Sequence, residues 1–215
     1  MFRRTTLPIA SALALLALTS ASQAAIVDIA ENGGFETGDF TGWTQFPSGG
    51  TTQTIISPGA SGNFAANLNV PAGAGAVNNV LKQQRLLDGT GQLGPGSVIN
   101  FSFDYRGSAA DGGVFFVKSI CETPTGTCGD LLEGPLSFNQ PDWTNYTGSF
   151  TLGAGASAYT LEFAAICGAS QTCFSNYDID NVVILADIAP IPVPAAVWLF
   201  GSALGMLGWM RRRVS

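Results

Sequence analysis

The 215-residue chain contains no histidine. That absence removes the commonest general base and metal ligand. It excludes Ser-His-Asp and Cys-His catalysis, together with zinc sites built on histidine. Basic residues are also scarce. Five of the nine (Arg3, Arg4 and Arg211 to Arg213) lie at the chain's two ends. Only Lys82, Arg85, Arg106 and Lys118 remain between them, against all fifteen acidic residues, so the central body carries a net charge of −11. Such a body offers no basic patch to nucleic acid. Long amphipathic helical patterns, internal repeats and low-complexity tracts are missing too.

What is present starts with two apolar ends. Arg3 and Arg4 precede an apolar run from Leu7 to Leu18, and Ser22-Gln23-Ala24 places small residues where a signal peptidase inspects the chain. Residues 1–24 are therefore expected to be a secretory signal peptide. At the other end, Ala195 to Met210 is wholly apolar or small. As a helix it spans ~24 Å, slightly short of a ~30 Å hydrocarbon core. Trp198 and Trp209 stand near its ends, and Arg211, Arg212 and Arg213 would keep the C-terminus cytoplasmic. A single transmembrane helix over 195–210 is expected, making the inner membrane a transient partner. Residues 186–190 read as a stiff linker leading into it.

Between these ends, residues 25–185 alternate apolar and polar side chains between Gly, Pro, Asn and Ser. That grammar predicts strands over 51–56, 63–70, 76–87, 98–105, 113–120, 143–152, 158–166 and 177–185, with a less regular segment over 131–138. A helical alternative exists only around Lys82 to Leu87. Val98, Asn100, Ser102 and Asp104 share one face of their strand, and Ile99, Phe101, Phe103 and Tyr105 the other. The nearly continuous apolar run over 113–120 predicts a strand covered on both faces. Short strands with glycine-rich turns predict an all-β fold, an antiparallel β-sandwich of jelly-roll type.

Four cysteines permit three pairings. Cys121 and Cys128 enclose one turn-rich segment, and Cys167 and Cys173 another. Local pairing as loop staples is favoured over zinc, whose knuckle spacings do not match, and suits an oxidising compartment.

Three segments carry a resemblance. Asn32-Gly33-Gly34-Phe35-Glu36 with Gly42-Trp43, then Trp143-Thr144-Asn145-Tyr146 with Phe150, then Tyr177-Asp178-Ile179-Asp180-Asn181-Val182 occur in that order. Together they resemble the opening, middle and closing strands of carbohydrate-binding and galactose-binding-like jelly rolls. The resemblance implies that Glu36 and Asp180 meet to hold a structural Ca²⁺, an ion that takes six to eight oxygens. It also places Trp43 and Trp143 in the core, leaving Phe46, Tyr146 and Tyr159 as other aromatics for sugar stacking. No residue stands out as a ligand contact. A glycosidase would need two carboxylates flanking a cleft, and nothing selects a pair, so the body is expected to be non-catalytic.

The tail resembles a second family. Ile191, Pro192, Val193, Pro194 and Ala195, followed by the apolar helix and Arg211 to Arg213, are similar to the PEP-CTERM sorting signals of bacteria, nearest to the VPLPA variant. Ile191 replaces the usual Val, and Val193 stands where Glu gives the class its name. The resemblance implies recognition by an exosortase, removal of the tail, and delivery to the cell surface or extracellular matrix of a Gram-negative bacterium that makes exopolysaccharide. Expected partners are thus signal peptidase, exosortase and exopolysaccharide. The body's expected role is structural or adhesive, with carbohydrate binding as an alternative and a secreted hydrolase as a second.

Overall fold

The computed structural model describes residues 25–86, 96–136 and 138–188, with Gly201 alone beyond them. The proposed signal peptide and nearly all of the sorting tail lie outside these residues. Among the described residues no helix is long and apolar enough to cross a membrane.

The described chain forms two antiparallel sheets. In chain order its strands are β1 (Ala25–Asp28), β2 (Thr44–Pro47), β3 (Thr52–Ile56), β4 (Ala65–Val70), β5 (Val77–Leu86), β6 (Val98–Ala110), β7 (Val114–Thr123), β8 (Gly126–Glu133), β9 (Asn139–Thr151), β10 (Ala158–Cys167) and β11 (Phe174–Ile188). One sheet runs β3-β4-β11-β6-β9, with β1 pairing β11, and the other runs β2-β5-β10-β7-β8. This is the predicted antiparallel β-sandwich.

Side-chain alternation builds the core. Phe101, Phe103 and Tyr105 point inward from β6 and meet Phe115, Val117, Leu161 and Phe163 of the facing sheet. The rings of Phe115 and Tyr177 stack with centroids 4.5 Å apart, and Phe103 meets Phe163 edge-on at 4.8 Å. Each such ring removes ~150–250 Å² from water, which is why alternate aromatics hold two sheets together.

Two buried amides cross between sheets and loops. Gln83 of β5 accepts from the Glu31 amide at 2.8 Å and donates to the Glu31 and Gly42 carbonyls. Asn79 donates to the carbonyls of Thr52 and Asn69 on the opposite sheet. Buried amides are tolerated because backbone groups satisfy them.

The cysteines pair locally as expected, Cys121 with Cys128 and Cys167 with Cys173. The first pair ties together the paired strands β7 and β8, so it staples a hairpin.

Residues 82–86 belong to the expected strand rather than a helix, because β10 pairs them, from Glu162 opposite Lys82 to Ala158 opposite Leu86. Three expectations are corrected. β7 is not covered on both faces: Phe115, Val117 and Ser119 are buried, whereas Val114, Phe116, Lys118 and Ile120 remain partly exposed. Among the described residues no third layer lies over that face, and an ion pair crosses it, Lys118 to Asp130 at 2.7 Å. β11 continues through Ile188, since Ala25 to Asp28 pair with Leu185 to Ile188. Residues 186–188, expected in the linker, are thus paired strand. Lastly, the 131–138 segment is strand only through Glu133, the end of β8.

Candidate functional site

The predicted Glu36 and Asp180 both converge on the 57–64 loop between β3 and β4. The turn that presents Glu36 is tight: Asn32 and Phe35 have positive φ, and the amide of Val182 donates to the Gly33 carbonyl at 2.9 Å. A side chain at Gly33 would overlap the Val182 carbonyl, so glycine is required for this close approach. On the β11 side the ladder to β6 shifts register between Asp180 and Val183. Asn181 has φ of 50° within this bulge.

The carboxylates hold the loop from two sides. Asp180 Oδ2 accepts from the amides of Ala60 at 2.8 Å and Ser61 at 3.2 Å, while Oδ1 accepts from the Asn181 amide at 2.7 Å. Glu36 accepts from the Asn63 amide at 2.9 Å and the Phe64 amide at 3.1 Å. Burial pushes the Asp180 carboxyl above its ordinary value, against its amide donors, and the charge of Glu36 adds to the rise. The Phe64 amide is the largest influence holding Glu36 below its ordinary value.

Both residues are thus brought together at one loop, but their oxygens are engaged by N–H groups. Among the described residues no group of three or more acidic or cysteine side chains is placed to hold a metal. Ca²⁺ takes six to eight oxygens, so loop carbonyls would have to complete a site begun by the two carboxylates. Through these amide hydrogen bonds the pair clamps the 57–64 loop onto the sheet.

A different site lies on the outer face of the six-stranded sheet. By register Asp178 faces both Arg106 and Asn67. Arg106 Nε donates to Asp178 Oδ2 at 2.8 Å, and its guanidinium carbon lies 4.6 Å from the centre of the Trp143 ring. Asn67 Nδ2 donates to Asp178 Oδ1 and Asn176 Oδ1, each at 2.7 Å. Next along β6, Asp104 accepts from Asn145 at 2.8 Å and Asn181 at 2.7 Å. Asp180 continues the row beyond Asp178 and is fully buried only because the 57–64 loop folds over it. Arg106, Asn139, Pro141, Asn176 and Asp178 line a 260 Å³ depression, and a 430 Å³ one lies along Asn100, Ser102, Thr147, Ser149 and Leu185.

The aromatics divide accordingly. Trp43 and Tyr159 are core residues, at 7% and 0% exposure. Tyr146 donates its hydroxyl to Glu133 Oε2 at 2.8 Å, and burial pushes that hydroxyl up to about 12. Trp143, expected in the core, is only half-buried and lies beneath Arg106. Its row on β9 includes Asn145, Thr147 and Ser149, all outward, whereas Tyr146 and Phe150 point inward. Phe46 is 47% exposed on the other sheet, where the Lys82 ammonium sits 4.8 Å from its ring centre.

Sequence reasoning did not single out Arg106, Asn67, Asn176 or Asp178. Extending the polar row of Asn100, Ser102 and Asp104 by two residues reaches Arg106, a signal that was available. Its pairing with Asp178 was not, because β6 and β11 are far apart in the chain.

No protein-family profile and no curated protein matches this chain. Solved structures do share its fold. The enzymatically active domain of bacteriophage CBA120 tailspike protein 4 aligns with a TM-score of 0.59 at 14% identity, over 76% of this chain and 22% of that one. A carbohydrate-binding module of the β-sandwich superfamily aligns at 0.50 and 15%, over 70% of this chain and 59% of that one. A cyclase from Fischerella sp. TAU aligns at 0.51 and 18%, over 79% and 100%. This chain thus spans about a fifth of the tailspike domain. At these identities the likeness is one of fold, and that fold carries binding modules and enzymes alike.

Proposed function

We propose that this protein is an exported, non-catalytic β-sandwich that binds polysaccharide through the outer face of its six-stranded sheet. The observation that carries the reading is the Arg106–Trp143–Asp178 patch. There a half-buried indole lies beside a polar depression lined by amides and a guanidinium. Arg106 covers one side of that indole, so a sugar ring would meet its uncovered part together with the adjacent amides and hydroxyls, which suits a ligand presenting both C–H surfaces and hydroxyl groups. The fold shared with a carbohydrate-binding module agrees with this reading. Non-catalysis is supported by how the outward carboxylates are engaged: Asp178 and Asp104 accept from guanidinium or amide donors rather than facing one another across a cleft.

The test is retention of the protein by galactan or xylan in native gels. Trp143→Ala is expected to weaken retention about tenfold, a loss of ~1.4 kcal/mol. Phe46→Ala, on the opposite sheet, is expected to change nothing. Loss with Phe46→Ala and none with Trp143→Ala would move the site to the other face.

The proposed export and sorting are supported by the leader, the two disulfides and the Pro192-Val193-Pro194-Ala195 tail. In this reading signal peptidase removes residues 1–24 and an exosortase removes the tail, releasing the protein to surface exopolysaccharide. Mass spectrometry of the exported protein tests it. An intact C-terminal Arg211-Arg212-Arg213 end on that protein refutes processing.

A further inference from the structure

We infer that this patch selects uncharged glycans and rejects uronate- or sulfate-bearing ones, an inference that rests on glycan binding at the Arg106–Trp143 site. Arg106 is the patch's cation, and Asp178 already neutralises it through a 2.8 Å ion pair in which Asp178 is only 16% exposed. Asp104, the next outward carboxylate on β6, has amides as partners, so the patch as a whole is negative. The other basic residues of the body offer no alternative. Arg85 is paired with Glu31, Lys118 with Asp130, and Lys82 lies over Phe46. A polyanion approaching a body of charge −11 therefore meets repulsion at long range and, on this face, no uncompensated cation, since the charge that Lys82 keeps over Phe46 lies on the opposite sheet.

What the face offers instead is neutral hydrogen-bonding chemistry. Asn67, Asn100, Asn145, Thr147, Ser149 and Asn176 point outward across adjacent strands. Amides and hydroxyls donate and accept, as sugar hydroxyls do. Asp178 thus acts as a specificity-determining residue, holding Arg106 against Trp143 and cancelling its charge.

The test uses the full-length chain with Arg3, Arg4, Arg211, Arg212 and Arg213 replaced by Gln, so that the ends add no cations, in a non-glycosidic detergent, run through native gels containing galactan, xylan, polygalacturonate or alginate at about 20 and 300 mM NaCl. Retention is expected on the neutral polymers only, changing less than about twofold with salt. Asp178→Asn frees the Arg106 charge and is expected to gain salt-sensitive retention on the acidic polymers. Asp178→Ser, which also removes the carboxylate paired with Arg106, serves the same purpose if the first variant does not fold. Salt-sensitive wild-type retention on polygalacturonate or alginate overturns the inference but leaves glycan binding standing. Failure of the folded variants to gain acidic retention also overturns it. No retention of folded protein on any polymer refutes glycan binding and this selectivity together.

Discussion

Replacing Asp180 with Ala tests the clamp that joins the two sheet-end loops. The substitution removes the acceptor of three backbone amides: Ala60, Ser61 and Asn181. Hydrogen bonds to a charged group contribute ~1.5–3 kcal/mol each, and orphaned buried donors cost ~1–3 kcal/mol. Two effects reduce the total. Desolvation of Asp180 already opposes its charge, and the freed 57–64 loop can lift away to let its amides meet water. A net loss of about 2–4 kcal/mol follows, or ~5–15 °C in Tm at roughly 2–4 °C per kcal/mol. The assay is thermal and urea unfolding followed by circular dichroism, with an unchanged urea slope confirming that the native fold is retained.

pH gives an independent check with an unusual sign. The folded-state pKa of Asp180 is raised above the ordinary 3.8. The native state therefore binds the proton more tightly, and this residue's contribution grows as pH falls through the folded value. The wild type is expected to gain stability over Asp180→Ala on acidification within that window. Glu36 has the opposite sign, because its pKa lies below the ordinary 4.5: its contribution is present above that value and fades as pH falls through the folded one. A loss below ~1 kcal/mol for Asp180→Ala, with no widening on acidification, refutes the clamp.

Three further outcomes are expected. Chelation with EDTA should leave Tm within about 1 °C, since the Glu36 and Asp180 oxygens are occupied by amides; a drop of several degrees restored by Ca²⁺ returns the pair to a calcium role. Gln83→Leu should cost ~2–4 kcal/mol in urea unfolding, because it orphans the Glu31 amide and the Glu31 and Gly42 carbonyls; an unchanged midpoint would show that water replaces the amide. Replacing Cys121 and Cys128 together by Ser should destabilise the β7–β8 hairpin by ~2–3 kcal/mol on the loop-entropy scale for so short a loop, read as a lower urea midpoint.

The strand grammar, the acidic body and the local cysteine pairs are all properties of near neighbours in the chain, and each was legible without coordinates. Alternation placed Phe101, Phe103 and Tyr105 on one face of β6 because side chains on a strand alternate whatever else is nearby. That the Glu36 turn meets β11 was implied only by the resemblance to carbohydrate-binding jelly rolls.

Only the tertiary structure decided what covers each face. Trp143 resembled a core residue in its motif, yet its row on β9 looks outward to Arg106. Asp178 and Asp180 stand two apart on one strand and share its polar row, but one faces the depression and the other is sealed by a loop more than a hundred residues away in the chain. β7 had the composition of a doubly covered strand and acquired only one cover. Periodicity is encoded locally, whereas burial depends on which distant segment folds over a surface, so the sequence determined the sandwich and its charge while long-range packing chose the site.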